Sequence, residues 1–360
     1  MNLFKRFDTS YIFLMIVISL CGILCLHSAT YLKESNIVLM QFFWLMLSIG
    51  IALIVSIIPI QILYKLSYAT YFVTIIMVVV VLFLGKIGMG AQRWLVLGPL
   101  RVQPSELMKI GLIFGLSRFF YDYEPHKSMN LKTFFFSLVI TAVPAVLVIL
   151  QPDLGTAGLL FFIYFFYVIY KRLSLQTMVI LSFLTTVSLF FFYAFGLKEY
   201  QKKRIIHFLA PMEDVRGAGY NAYQSKIAIG SGKIIGKGFK KSTQASLEFL
   251  PENHTDFIFA LFNEEQGFIG SCILLGLFLF LIVKALMLSI RVSKYYHSLL
   301  AIGIAAFLFW HVVINVSMCT GIFPVVGIPL PFFSYGGSNL LTFGIAFGLI
   351  TNISKDKTLF

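Results

Sequence analysis

The sequence predicts an all-α integral membrane protein that crosses a bilayer about ten times and carries one long extracytoplasmic loop. Three observations carry that expectation. Apolar residues make up 59% of the 360 and mean hydropathy is +0.91, which leaves too little polar surface to clothe a soluble globule. Apolar runs of about 20 residues, enough to cross a hydrocarbon core about 30 Å thick, recur along the whole chain. Most charged residues fall between those runs.

Taken in order, the runs lie at 11–31, 37–58, 66–85, 104–121, 132–150, 154–170, 175–195, 256–284, 298–318 and 333–353. With the N-terminus inside, Lys5, Arg6, Lys65, Arg118, Lys127, Lys132, Lys171, Arg172, Lys284, Arg291, Lys294, Lys355 and Lys357 are cytoplasmic, whereas the short outer loops hold only Lys33, Lys86, Arg93 and Arg101. That bias places both termini in the cytoplasm. Lys5 and Arg6 before the apolar run resemble a signal peptide, but the run is long enough to span and a second follows at once, so an uncleaved first span is expected. The loop at 197–252 lies outside, and loops this long translocate largely regardless of charge. Its start, Lys198 to Phe208, suits either a helix in the headgroup layer or a solvated charge run. No repeat or low-complexity linker divides the chain, so residues 1–360 read as a single domain.

A net charge of +13 would suggest nucleic acid in a soluble protein. Sorted by side it reads as topology, and no nucleic-acid partner is expected. The four cysteines lie in apolar stretches without metal-ligand spacing, and no metal-ligand set is assigned.

Ionisable residues in or at the ends of spans are costly and therefore candidates for function. Glu106 and Lys109 open the fourth span, three apart and so on one helical face, after a Gly/Pro-punctuated loop that carries Arg93 and Arg101. Pro104 suits a first helical position, where Glu106 would also favour the helix dipole. Pro152 and Asp153 repeat that grammar at the sixth span, with capping a sufficient reason for Asp153. Leu250 to Asp256 is the densest polar cluster, with Glu252, His254 and Asp256 just before an apolar helix. Asn263, seven residues on, would share a face with Asp256, while Glu264 and Glu265 would point elsewhere. The glycines of Gly230 to Gly238 lack the spacing of a phosphate-binding loop and fit tight turns. The last outer loop, 321–338, mixes prolines and glycines with apolar residues and includes Ser334; such backbone at membrane depth must be buried in protein or line a cavity.

Together the segments GAQRW (90–94), QPSELMK (103–109), QPDLGTA (151–157), GYNAYQSKIAIGSG (219–232), STQASLEFLPENHTDFIFA (242–260), NEEQGFIG (263–270) and GIPLPFFSYGGSN (327–339) resemble the SEDS family of bacterial shape, elongation, division and sporulation proteins. LEFLPENHTDF and VVGIPLPFFSYGGS resemble the elongation (RodA-like) branch more than the division (FtsW-like) branch. The resemblance implies a peptidoglycan glycosyltransferase of the bacterial inner membrane that polymerises lipid II, an undecaprenyl diphosphate-linked disaccharide peptide, during elongation and maintenance of cell shape. It implies a class B penicillin-binding protein as transpeptidase partner, other elongation-complex proteins, and a divalent cation, Mg2+ being expected. It places the essential aspartate at Asp256 and matches Glu106 and Lys109 to the polar pair of the fourth span. Asn253 and Gln266 stand where relatives often have other residues.

Polymerisation that converts an α-linked donor into a β-1,4 linkage needs one displacement, one base and stabilisation of the leaving diphosphate. Asp256 is the expected base. Lys109, Arg93, Arg101 or Mg2+ would partner the diphosphate, and Glu106, Asp153, His254, Asn263 and Ser334 would complete the substrate site. The alternatives are a lipid II flippase, which needs charges along a path between the two faces, a non-catalytic scaffold, and the division member of the same family.

Overall fold

A computed structural model describes residues 8–31, 36–88, 91–97, 100–123, 128–181, 218–247, 249 and 254–356. Its helices are α1 (Ser10–Thr30), α2 (Ile37–Ile57), α3 (Ile60–Leu84), α4 (Pro104–Tyr123), α5 (Leu131–Ile149), α6 (Leu154–Lys171), α7 (Ala218–Ser231), the single turn α8 (Thr243–Ser246), α9 (Ile258–Arg291), α10 (Tyr295–Thr320) and α11 (Gly337–Ile353). Among the described residues seven are long and apolar enough to cross a membrane: α1, α2, α3, α5, α6, α9 and α10. The protein is a multi-pass, nearly all-helical membrane protein. Nine of the ten expected runs are helices; most ends fall within four residues of those expected, but α3 starts at Ile60 instead of 66 and α9 runs on to Arg291 instead of 284, and the seventh run is helical over 175–181 before leaving the described residues. The expected headgroup-layer helix at 198–208 lies outside them.

Packing follows small residues and buried hydroxyls. Gly344 and Gly348, one turn apart on α11, meet the backbone of Ser48 and Ala52 on α2, the close approach that small residues permit where lipid offers no hydrophobic driving force. Ser48 Oγ donates to Leu340 O at 2.6 Å across the same contact. The chain termini share one end of the bundle: Asp8 N donates to Ser354 Oγ at 3.1 Å and Lys284 Nζ reaches Asp8 Oδ1 at 2.9 Å. Chain alternation puts the start of α4, the start of α6 and the start of α9 at the other end.

Two local structures differ from expectation. The segment before α4, expected as a loop, holds a three-stranded antiparallel sheet of β1 (Lys86–Gly88), β2 (Ala91–Leu97) and β3 (Leu100–Val102). Gly88, Gly90, Gly98 and Pro99 punctuate its sequence, but Trp94 to Leu97 supplies the β-prone run that pairs Leu95 with Val102. The eighth span begins at Ile258, so Asp256 lies in the turn at 254–257 and not in a helical first turn; Phe257 is the N-cap, without a side-chain cap bond. The geometry that put Asn263 on the face of Asp256 therefore does not apply.

That same helix is broken at Gly267, whose φ of 68° and ψ of −167° leave the helical region. The loop takes over the backbone bonds the break releases. Lys237 N and Gly238 N donate to the carbonyls of Glu264 and Glu265 at 3.0 Å each, while Phe268 N and Ile269 N donate to Lys233 O and Ile234 O at 2.9 and 3.1 Å. Backbone groups at membrane depth must be satisfied within the protein, and this insertion does it. A side chain at Gly267 would collide with the 234–236 backbone.

Candidate active site

Two groups of polar side chains meet on α10. From α4, Lys109 lies 1% exposed and Glu106 5% exposed, with Nζ 2.6 Å from Glu106 Oε1. Lys109 Nζ also lies 3.0 Å from His311 Nε2 of α10, and His311 Nδ1 lies 3.2 Å from the Pro329 carbonyl. An ammonium only donates and a carbonyl only accepts, so Nε2 accepts and Nδ1 carries the proton. These contacts assign His311 as a neutral imidazole in one tautomer. Glu106 Oε2 is buried and has no hydrogen-bond partner among the described residues.

One turn along α10, Asn315 Nδ2 donates to Asp256 O at 2.9 Å and to Ile328 O at 2.8 Å. His311 and Asn315, four residues apart, share a face and lie about 6 Å apart along the axis. One helix face thus ties the Lys109 pair, the turn of Asp256 and the loop at 321–336 together. The Asp256 carboxylate reaches that loop at Gly327: a Cβ there would sit 3.3 Å from Oδ2, and the φ of +70° is one that side chains rarely adopt. His254 is half-buried in the same turn; its carbonyl accepts from Tyr335 N at 3.0 Å and its ring lies 6.1 Å from that of Tyr335. Ser334 Oγ accepts from Leu330 N at 2.8 Å and its carbonyl from Gln41 at 3.0 Å, so Ser334 shapes the loop from within.

Other expected site residues serve different contacts. Arg93 Nε donates to Gln151 O at 2.9 Å and its Nη2 donates to Pro152 O, clamping the turn before α6. Pro152 does not start that helix; Asp153 is its N-cap, accepting from Thr156 N at 3.1 Å and Thr156 Oγ1 at 2.9 Å. Arg101 is exposed on β3, and its carbonyl accepts from Ser338 Oγ at 3.2 Å. Asn263 is turned to Ser271 Oγ at 2.7 Å, across the broken turn of α9. Glu264 is fully buried yet densely bonded, by Lys237 Nζ at 2.5 Å, Ser242 Oγ at 2.5 Å and Thr243 N at 3.0 Å, so it holds the inserted loop. Glu265 accepts from Ser28 Oγ.

His311 and Asn315 were not singled out from the sequence. A histidine and an asparagine spaced i, i+4 inside an apolar span were the available signal, since buried polar residues in such spans cluster at sites.

The sequence profile FTSW_RODA_SPOVE, described as cell cycle protein, matches residues 8–359. The chain belongs to the FtsW/RodA/SpoVE family. Within that family it is 41% identical over 290 residues to "Peptidoglycan glycosyltransferase MrdB" of Escherichia coli (strain K12), covering 80% of this chain and 78% of the relative. Its fold matches the crystal structure of Thermus thermophilus rod shape determining protein RodA, with a TM-score of 0.72, 27% identity and 98% of each chain covered. A second structure, described as "Structural coordination of polymerization and crosslinking by a peptidoglycan synthase complex", matches with a TM-score of 0.83 and 28% identity, covering 97% of this chain and 98% of the other.

Proposed function

We propose that this FtsW/RodA/SpoVE protein is a peptidoglycan glycosyltransferase of the elongation type that joins lipid II units into glycan strands on the outer side of the plasma membrane. The observation that carries the reading is the shared face of α10, where Asn315 holds the backbone of Asp256 against the Gly327 loop and His311 holds the Lys109–Glu106 pair one turn away. The likeness to curated peptidoglycan glycosyltransferases and to RodA supports the elongation branch.

In this reading Asp256 accepts the proton of the acceptor sugar hydroxyl as that oxygen attacks the anomeric carbon of the donor. The bond to the diphosphate breaks in the same displacement, which inverts the centre. A half-buried position, in a turn fixed by a backbone bond and a glycine, orients the carboxylate without sealing it from substrate. Lys109 supplies positive charge beneath that turn. Its contacts with Glu106 and His311 hold the ammonium fixed, and Glu106 offsets much of its charge, so what it offers the site is the preorganised dipole of the pair. Arg101, exposed on β3, is a cation open to a diphosphate, whereas Arg93 is committed to two carbonyls.

Among the described residues no three His, Cys, Asp or Glu side chains converge as a metal cage. Mg2+ usually keeps water and phosphate ligands with one or two carboxylates, so the mode that fits is a cation arriving with the diphosphate. Glu106, whose Oε2 is buried without a partner, is the carboxylate that would hold it, and the charge it supplies would offset that of the leaving group.

Both termini lie in the cytoplasm in this reading, supported by the Lys and Arg gathered at the end of the bundle that holds Asp8 and Ser354. A class B penicillin-binding protein is the proposed transpeptidase partner, supported by the likeness to a structure of a peptidoglycan synthase complex, and other elongation-complex proteins would join them. Purified protein in detergent, given lipid II with and without the transpeptidase, tests the reading. Glycan strands on a gel are expected; disaccharide units that stay unjoined under both conditions, from folded protein, would count against it.

A further inference from the structure

The end of the bundle opposite the candidate active site contains a cavity of about 860 Å³ formed by the starts of α3 and α10 and the end of α4. Its wall is a rigid aromatic triangle. Tyr64, Tyr121 and Tyr296 meet edge to face, with ring centres 5.4, 5.2 and 5.9 Å apart. Tyr64 OH donates to Asp122 Oδ1 at 2.6 Å, and Asp122 is neutralised by Arg118, whose Nε lies 2.8 Å from Oδ2. The guanidinium also sits 3.8 Å from the Tyr64 ring centre. Asp122, although it lines the cavity, therefore adds little repulsion toward an anion.

Lys65 and Lys294 line the same cavity. Lys65 is exposed on α3, and the Lys294 side chain is 56% exposed. The chain itself shows where an anion sits: Asp356, from the turn after α11, brings Oδ2 to 3.4 Å from Lys294 Nζ and 2.9 Å from His297 Nδ1. On α3 the neighbours Ile62 and Leu66 are 45% and 50% exposed, the mark of a lipid-facing side. The cavity thus stands where hydrocarbon gives way to headgroups. Tyrosine rings favour that depth, and lysines reach from it into the phosphate layer.

We infer that this cavity is a binding site for an anionic phospholipid, whose phosphate takes the place of the Asp356 carboxylate on Lys294 while its glycerol and upper acyl carbons lie against the tyrosine wall. An ordinary polar pocket does not need both lysines and a lipid-facing flank. A soluble acidic segment of another protein would use the lysines and leave the lipid-facing flank unused.

Native mass spectrometry of the full chain in detergent, titrated with phosphatidylglycerol and with phosphatidylcholine of identical acyl chains, tests this. Phosphatidylglycerol is expected to bind at least tenfold more tightly. A lysine near an anionic headgroup is worth about fivefold in affinity, so Lys65→Gln with Lys294→Gln should weaken phosphatidylglycerol about 25-fold. Both lysines are exposed, and the variant should stay folded. Asp356→Asn should tighten binding about fivefold by removing the competing charge, and Lys132→Gln, a basic residue on α5 outside the cavity, should leave it unchanged. Equal retention of the two lipids, or unaltered affinity in the double-lysine variant, would overturn the inference. So would displacement by glycerol phosphate, a mononucleotide or an acidic peptide at micromolar concentration, which would assign the cavity to a soluble anion.

Discussion

Replacing Lys109 by methionine removes the ammonium from a site where it is 1% exposed and touches two partners, Glu106 at 2.6 Å and His311 at 3.0 Å. The carboxylate of Glu106, already short of a partner at Oε2, would then be buried with no counter-charge. Breaking a buried pair from one side costs about 3 to 5 kcal/mol, which is roughly 100- to 4,000-fold in the folding equilibrium. Loss of activity in Lys109→Met alone would therefore report unfolding as much as chemistry. Glu106→Leu combined with Lys109→Met removes both charges and should recover most of that loss, because a buried pair gains little over apolar residues of similar volume; what remains is about 1 to 3 kcal/mol for His311 Nε2, which loses its donor. Thermal unfolding in detergent, with monodispersity checked, gives the stability half of the cycle. Lipid II polymerisation by the stable double variant gives the functional half, and no polymer is expected. A Lys109→Met protein as stable as wild type would show that Glu106 is not left as a buried, unpaired charge, and wild-type polymerisation by the double variant would reduce the pair to a structural one.

Gly327→Ala places a Cβ 3.3 Å from Asp256 Oδ2 at a φ of +70°; a displacement of the carboxylate by about 1 Å can cost about 100-fold in rate, and a normal polymerisation rate from folded protein would show that the contact does not position Asp256. His311→Phe leaves Lys109 with Glu106 alone and should lower kcat at least tenfold in lipid II polymerisation while KM changes little, with partial rescue in His311→Gln, whose amide can both accept and donate; identical activity of both variants and wild type would remove His311 from the account. Glu264→Ala strips several donors of a shared acceptor and should cost about 3 kcal/mol, seen as faster limited proteolysis between 231 and 247; unaltered cleavage would show that the loop is held by other contacts.

The spans were legible because lipid enforces a long apolar run and punishes charge within it; α1 and α2 fall within one residue of their expected ends. Residues whose meaning depends on a distant chain segment were not. Glu264 read as a functional candidate, and only the inserted loop, 21 to 33 residues earlier, shows that its carboxylate is spent on Lys237, Ser242, Thr243 and Ser231. Glu106 and Lys109 were readable as a pair because their partnership is local, i to i+3, whereas His311 joins it from 202 residues away. Asp256 stood out through its polar neighbours, but its two-residue offset from the helix start could not be seen, since an apolar run does not mark where the first backbone bond closes.

Lipid II polymerisation by purified Asp256→Asn tests most directly whether Asp256 is the base. The amide keeps the shape of the side chain and most of its hydrogen bonds, and leaves the main-chain bond from Asn315 intact, but it cannot take a proton from a sugar hydroxyl. Asp256→Asn should give a folded protein that still binds its transpeptidase and makes no glycan strand. Strands made at the wild-type rate would contradict it and move the base to another group in the turn, with His254 the next candidate.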